Sequence, residues 1–200
     1  GGRLEIGAGT GYRLDELKGF NVAPEQSRDK GRECLEIILK LWTGEPVTFK
    51  GKYYELNDVA VRPVPKQKPH PPIWMPGLST ESLEYIVRGG YNWMSAATLA
   101  SLSSIVDRRR QLDGVARRYG RSMADMGIYV HVPTHVAKAT RDEIRRVTEP
   151  GIRWFREAAM WYTAGPTPGG GTIYQSGGMV APAPFDFDSF YDDNSFFGDP

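Results

Sequence analysis

The sequence predicts an α/β fold built on a parallel sheet, and three observations lead there. Short apolar runs suited to buried strands recur at Leu4 to Ile6, Ile73 to Met75, Asn92 to Met94 and Ile128 to His131. Stretches with helical spacing of apolar residues separate them. Glycines and prolines sit where each element should stop. Strand, helix, strand in repetition needs helical crossovers, and these place helices outside a parallel sheet. Two architectures satisfy the pattern, an open doubly wound sheet and a closed (β/α)8 barrel. A closed barrel needs eight strands and roughly 250 residues; four strands are visible in 200 residues, so a barrel would be present in part.

Each element has its own justification. "RLEIGAGTGY" is an apolar strand that breaks into a loop with glycines at 7, 9 and 11. "DKGRECLEIILKLWTG" spaces Cys34, Leu35, Ile38, Leu39 and Trp42 at intervals of three and four, which predicts an amphipathic helix stopped at Gly44. "PVTFKGKYYEL" reads as a hairpin turning at Gly51, and "VRPVPKQKPHPP" as an extended connector, since its prolines remove donors and fix φ. Residues 45–72 are thus an excursion from the repeating pattern. "PIWMPG" is a strand, "STESLEYIVRGG" a helix opened by a hydroxyl cap, and "YNWMSA" a strand. "SLSSIVDRRRQLDGVARRYGRS" is a longer helix closed by Gly120, and "MGIYVHVP" a strand stopped by Pro133. "TRDEIRRVTEPGIRWFREAAMWY" carries one or two helices that Pro150 and Gly151 break. From 164 to 200, glycine, proline, aromatic residues and acidic clusters describe a long loop. The whole reads as a single domain, 1–200, whose two ends look like cuts.

Composition narrows the function. Twenty-five basic residues nearly cancel 24 acidic ones, giving a net charge of +1. No field of that size draws nucleic acid or an anionic membrane, so neither is an expected partner. One cysteine, Cys34, forms no internal disulfide, and no leader or spanning apolar run is visible, which makes the cytoplasm the expected compartment.

In such folds the loops at the carboxyl ends of the strands carry the chemistry, which puts "GAGTGY", "PGLSTES" and "SAATLAS" on one rim. "GAGTGY" has G-x-G-x-G spacing, not the dinucleotide G-x-G-x-x-G. It still allows a flat ring or a phosphate close to the backbone. "PGLSTES" sets Gly77, Ser79 and Thr80 before a helix, where hydroxyls and free amides meet a positive helix end. A plain helix cap is the alternative reading of that loop. Two such loops together favour a phosphate-bearing cofactor.

Four stretches, "GGRLEIGAGTGYRLDELKGFNV", "LEIILKLWTGEPVTFKGKYYEL", "VRPVPKQKPHPPIWMPGLSTES" and "GGYNWM", together resemble the bacterial luciferase-like flavin-dependent monooxygenases, in order and spacing from Gly1 to about Tyr119. The resemblance implies a (β/α)8 TIM barrel present only as a fragment, about strands 4 to 7, with "RLEIG" the fourth strand and "PIWM" the fifth. It implies reduced FMN held at the carboxyl rim, supplied by a separate flavin reductase and used with oxygen on a small organic substrate. It equally admits an 8-hydroxy-5-deazaflavin coenzyme that moves hydride without oxygen, or a non-catalytic flavin-binding relative. A homo-oligomer is left open. By position, Gly9, Thr10, Gly11 and Tyr12 match the loop after the fourth strand, and Gly77, Leu78, Ser79 and Thr80 the phosphate loop after the fifth. Thr10 stands where the luciferases proper carry a phosphate-binding arginine. The family's acid and base histidines lie on early strands outside this chain, so no catalytic residue is assigned.

Other residues carry no catalytic assignment. His70 falls in the connector, where a histidine is most often solvated, His131 on a strand and His135 just beyond it, and a core or edge role is the simpler account of the last two. Trp93 and Met94 belong to the strand flooring the pocket, and Cys34 to a packed helix face. Asp186, Asp188, Asp192 and Asp193 match no calcium loop spacing, so no metal is expected.

Overall fold

The computed structural model describes residues 1–11, 14–96, 101–164, 173–175, 178–180, 185–194 and 196–198. In chain order the elements are β1 (Ile6–Gly7), α1 (Leu14–Gly19), a 3-10 turn (Pro24–Gln26), α2 (Ser27–Leu41), β2 (Val47–Lys50), β3 (Glu55–Val59), β4 (Ile73–Pro76), α3 (Thr80–Gly89), β5 (Asn92–Ala96) and α4 (Leu102–Arg118). After a second 3-10 turn (Met123–Asp125) come β6 (Ile128–His131), β7 (Thr134–Val136), α5 (Arg141–Ala164), β8 (Ile173–Gln175), β9 (Gly178–Val180), α6 (Phe187–Asn194) and β10 (Phe196–Gly198).

The four expected strands form one sheet in the order β1-β4-β5-β6, every pairing parallel. The register fixes which residues share a face. Ile6 pairs with Ile73, Met75 with Trp93, and Trp93 with Ile128, so these point to one side. That side is the core: Ile73, Met75 and Trp93 pack with Leu83, Ile86 and Val87 of α3 and Ile105, Leu112 and Val115 of α4. The opposite, inner face carries three rows: Gly7, Trp74 and Asn92; then Pro76, Met94 and Tyr129; then Ala96 beside His131.

α3 is closed by Gly90, whose φ of 73° is left-handed and therefore suits glycine. The next amide, of Tyr91, then donates to the Ile86 carbonyl at 3.0 Å, returning the chain to β5.

β1 starts later than expected. The Leu4 N–H donates to the Gln67 side chain at 3.2 Å, and the Gln67 amide donates to the Leu4 carbonyl at 2.7 Å. A connector side chain thus takes both backbone groups of Leu4, and main-chain pairing begins with Ile6 N–H to the Pro72 carbonyl at 2.9 Å. The hairpin β2–β3 is antiparallel, as its sequence requires. It is pinned to α2 through Glu33, whose carboxylate accepts from the amides of Lys52, Tyr53 and Tyr54 at 3.0, 2.9 and 2.7 Å.

Two expectations are corrected. Pro150 and Gly151 do not break the helix: α5 runs through both. Pro150 cannot donate to the carbonyl four residues earlier, a loss of about 3 kcal/mol in a helix interior. Glu149 spans the weak turn, pairing with Arg145 at 2.8 Å and with Arg153 at 2.6 Å. The start of α5 is held by a reciprocal cap, Thr140 N–H to Glu143 at 2.8 Å and Glu143 N–H to the Thr140 hydroxyl at 3.4 Å. Nor is the segment after 164 wholly a loop. α6 buries Phe187 and Phe190 at helical spacing, and β10 pairs in parallel with β7. The acidic residues there serve arginines of α5: Arg141 meets Asp188 and Asp192 at 3.1 and 3.2 Å, and Arg145 meets Asp188 at 3.3 Å. Among the described residues no helix is long and apolar enough to cross a membrane.

Candidate functional site

The carboxyl ends of β1 and β4 open beside the amino end of α3, and α2 crosses the same opening. A cleft there is lined by Gly9 and Thr10 after β1, by Ser82 and Tyr85 of α3, and by Arg28 and Arg32 of α2. The approach of α2 depends on Gly31, where a Cβ would come within 3.1 Å of the Thr10 methyl. A glycine in a helix interior lowers helix propensity, and close approach is the usual return.

Of the residues assigned from sequence, Gly9 and Thr10 line the cleft, and Gly9 has open space where a side chain would stand. Gly11 has a φ of +79° just beyond it. Tyr12 lies outside the described residues, as does most of the "SAATLAS" loop. Gly77 is buried under the cleft, not in it. A Cβ there would meet Ile86 at 2.7 Å and Leu83 at 3.1 Å, so glycine permits β4 to run into α3 at this depth. Its carbonyl accepts from the Trp93 indole N–H at 3.0 Å, which fixes the loop from inside the core. Leu78 is exposed and contributes no polar group. Ser79 is the N-cap of α3: its hydroxyl accepts from the Ser82 N–H at 3.2 Å and lies 2.9 Å from the Ser82 hydroxyl. Thr80, the first helical residue, is exposed.

The arginines and Ser82 escape a reading that stops at the strand-end loops. Arg28 and Arg32 are four apart and so share a face of α2. Both reach Glu81 in the first turn of α3, at 2.5 and 2.9 Å. Two cations against one carboxylate leave the cleft net positive, and the amino end of α3 adds its own positive end. The Arg32 guanidinium also lies 4.5 Å from the centre of the Tyr85 ring. Burial, then the neighbouring Tyr91, pushes the Tyr85 hydroxyl up to about 12, so it stays protonated. These are the features of an anion cradle: two guanidinium groups, serine hydroxyls, amides at a helix start and a backbone without side chain facing them.

The His70 ring nitrogen Nδ1 lies 2.8 Å from the Pro71 carbonyl, and His135 sits in β7. Of the core and edge positions open to His131, the structure shows the second: it is exposed, on the inner face at the carboxyl end of β6, the last strand of the described sheet. Trp93 is fully buried on the other face, while Met94 stands on the inner one. Among the described residues no cluster of histidine, cysteine, aspartate and glutamate could hold a metal ion.

A family model described as luciferase-like monooxygenase matches residues 1–197. Curated relatives matching 58% and 62% of the chain, at 30% and 31% identity, are covered over 34% and 35% of their own length. An F420-dependent glucose-6-phosphate dehydrogenase of Microbacterium testaceum is 39% identical over 70 residues, 34% of this chain and 20% of that protein. Among solved structures, monooxygenase RslO1 from Streptomyces bottropensis superposes with a TM-score of 0.72 at 22% identity, over 82% of this chain and 50% of its own. The oxygenating constituent of 3,6-diketocamphane monooxygenase from Pseudomonas putida, in complex with FMN, gives 0.63 at 19% identity, over 80% and 48%. At these identities the likeness shows the fold. The four-stranded sheet with its helices is part of a luciferase-like TIM barrel, and the chain spans about half the length of those structures.

Proposed function

Because the chain belongs to the luciferase-like monooxygenase family, we propose that it holds the phosphate of reduced FMN at the β1/β4 rim and serves the oxygenation of a small organic substrate. The observation that carries this is the anion cradle. Arg28 and Arg32 face Gly9, Thr10 and Ser82 across a cleft that also receives the start of α3. In the proposed complex Arg28 and Arg32 turn donors left over from Glu81 toward the phosphate. Ser82 adds its hydroxyl, and Gly9 admits the ligand to the backbone. Ser79 keeps the helix start in place and contributes as a cap before it contributes as a ligand. Gly77 and Trp93 hold the loop at fixed depth, so that donors are positioned before binding. Reduced FMN would supply the electrons for activating oxygen. The neutral inner face, with Met94 and Tyr129, would bind the organic substrate and exclude water.

A second reading has its own support. The deazaflavin-dependent relative matches this chain at 39% identity over 70 residues, and its coenzyme also carries phosphate. The same cradle then serves hydride transfer without oxygen. Titrating the intact protein with each reduced coenzyme separates the two. Oxygen uptake with reduced FMN, and none with the deazaflavin, supports the first reading. Deazaflavin binding with no FMN binding overturns it. The cradle itself is tested by Arg28→Met combined with Ser82→Ala. A hydrogen bond to a charged group is worth about 1.5–3 kcal/mol, and about 1.4 kcal/mol is a tenfold change in affinity. The double variant should bind the preferred coenzyme at least tenfold more weakly with an unchanged melting temperature. Unchanged affinity would remove the phosphate from this cleft.

A further inference from the structure

We infer that His131 is a catalytic residue: its imidazole contacts the redox ring of the bound coenzyme on the inner face of the sheet. The inference rests on the phosphate placement just proposed. A ligand anchored at the β1/β4 rim cannot extend over the outer face of the sheet, which is filled by Leu83, Ile86, Trp93 and Leu112. It must lie over the inner face. Neighbouring strands are about 4.8 Å apart, so three spacings carry it roughly 14 Å from β1 to β6. That direction leads along the rim toward the carboxyl end of β6, where the register places Ala96 and His131 side by side.

The surroundings of His131 suit a ring contact. Its row neighbour Ala96 is a methyl group, which leaves the imidazole uncovered on that side. One row deeper, Tyr129 is 49% exposed and paired with Met94, giving an aromatic and thioether floor. The strand residues of the inner face are Gly7, Trp74, Pro76, Asn92, Met94, Ala96, Tyr129 and His131, and none carries a fixed charge. His131 is thus the one histidine among those strand residues, a side chain able both to donate and to accept a hydrogen bond. The other two histidines are elsewhere, His70 in the connector and His135 in β7.

The test uses wild-type intact protein, so no variant need fold. Histidines are modified with diethylpyrocarbonate with and without saturating FMN, or the deazaflavin coenzyme where that is the one that binds, and the sites are mapped by mass spectrometry. Binding is confirmed on the same sample by fluorescence. His131 should be modified readily in the free protein and at least fivefold more slowly in the complex. His70 should react equally in both, which makes it the internal control. Coenzyme bound with His131 modified at its free rate overturns this inference and leaves the cradle standing. Failure of both coenzymes to bind overturns the cradle and this inference together.

Discussion

α3 and α5 are both amphipathic helices, yet different forces hold them. α3 has ten residues, of which Leu83, Ile86 and Val87 are buried to 1% exposure or less, and both ends are capped. α5 has 24 residues with a proline inside. Among its described side chains Ile144 is buried, while Val147 and Trp154 are 65% and 70% exposed. Among the described residues its contacts with the α6 region include ion pairs and cation–π contacts: Arg141 lies over Tyr191 at 4.3 Å, Arg145 over Phe187 at 5.1 Å and Arg153 over Phe185 at 5.0 Å. Apolar burial is insensitive to salt and tolerates no missing volume. Exposed ion pairs are each worth little and are screened. The cradle is built on the helix of the first kind, which fits its need for fixed geometry.

The contrast breaks most visibly on truncation. Leu83→Ala empties a fully buried position and should cost about 2–5 kcal/mol, read as a lower midpoint in urea unfolding. Val147→Ala on α5 removes exposed atoms and should stay within about 0.5 kcal/mol. Equal effects would mean that Val147 is covered in the intact protein.

Glycine to alanine should reverse sign between the two regions. At Gly77 the new Cβ would stand 2.7 Å from Ile86, and overpacking of this kind costs about 1–3 kcal/mol. At Gly151 nothing lies within 4 Å. Alanine in that helix interior should stabilise by about 0.5–1 kcal/mol. Thermal melts of the two variants check both signs. Coenzyme affinity should fall for Gly77→Ala alone, since its loop adjoins the cradle.

A smaller effect is expected at Ser79. Replacing an N-cap serine by alanine costs about 1 kcal/mol, and Ser79→Ala should lower the melting temperature correspondingly. Because Ser82 keeps its hydroxyl, coenzyme affinity should weaken less than in the Arg28→Met, Ser82→Ala variant. A loss of affinity as large as in that variant would make Ser79 a ligand first and a cap second.

Sequence and structure agree where local and long-range demands coincide. The strands at 73–75, 92–94 and 128–131 were legible because three or four apolar residues flanked by stops suit a buried parallel sheet, and the Ser79 cap because hydroxyl and helix are adjacent in the chain. β1 was misplaced because Gln67, some sixty residues away, takes the backbone of Leu4. α5 was divided because the propensity of Pro150 is local, whereas the Arg145, Glu149 and Arg153 bridge is visible only as i, i+4 spacing. Arg28 and Arg32 carry no assignment from the sequence, because only the fold brings Glu81 and Thr10 to them. The mid-helix Gly31 was their one sequence signal. For His131 the sequence leaves a core and an edge position open, because a strand alone does not say which of its faces is covered.

The last expected effect is the smallest and concerns acid. Glu149 is held below its ordinary carboxylate value of 4.5, first by its bond to Arg145 and then by that to Arg153. A group whose native value is depressed stabilises the folded state above its unfolded value and loses that contribution as pH falls through the native one. The brace across Pro150 should therefore be complete above 4.5 and weaken on acidification below it. The exposed setting keeps the effect small and sensitive to salt. Amide hydrogen exchange around Pro150 should quicken on descent through that window in the wild type. Glu149→Gln should exchange faster at neutral pH and show less further change. The α3 amides, held by apolar burial and a hydroxyl cap, should be steady over the same range. Parallel acceleration in α3 would show that the two helices open as one cooperative unit, and that the difference between them does not reach their dynamics.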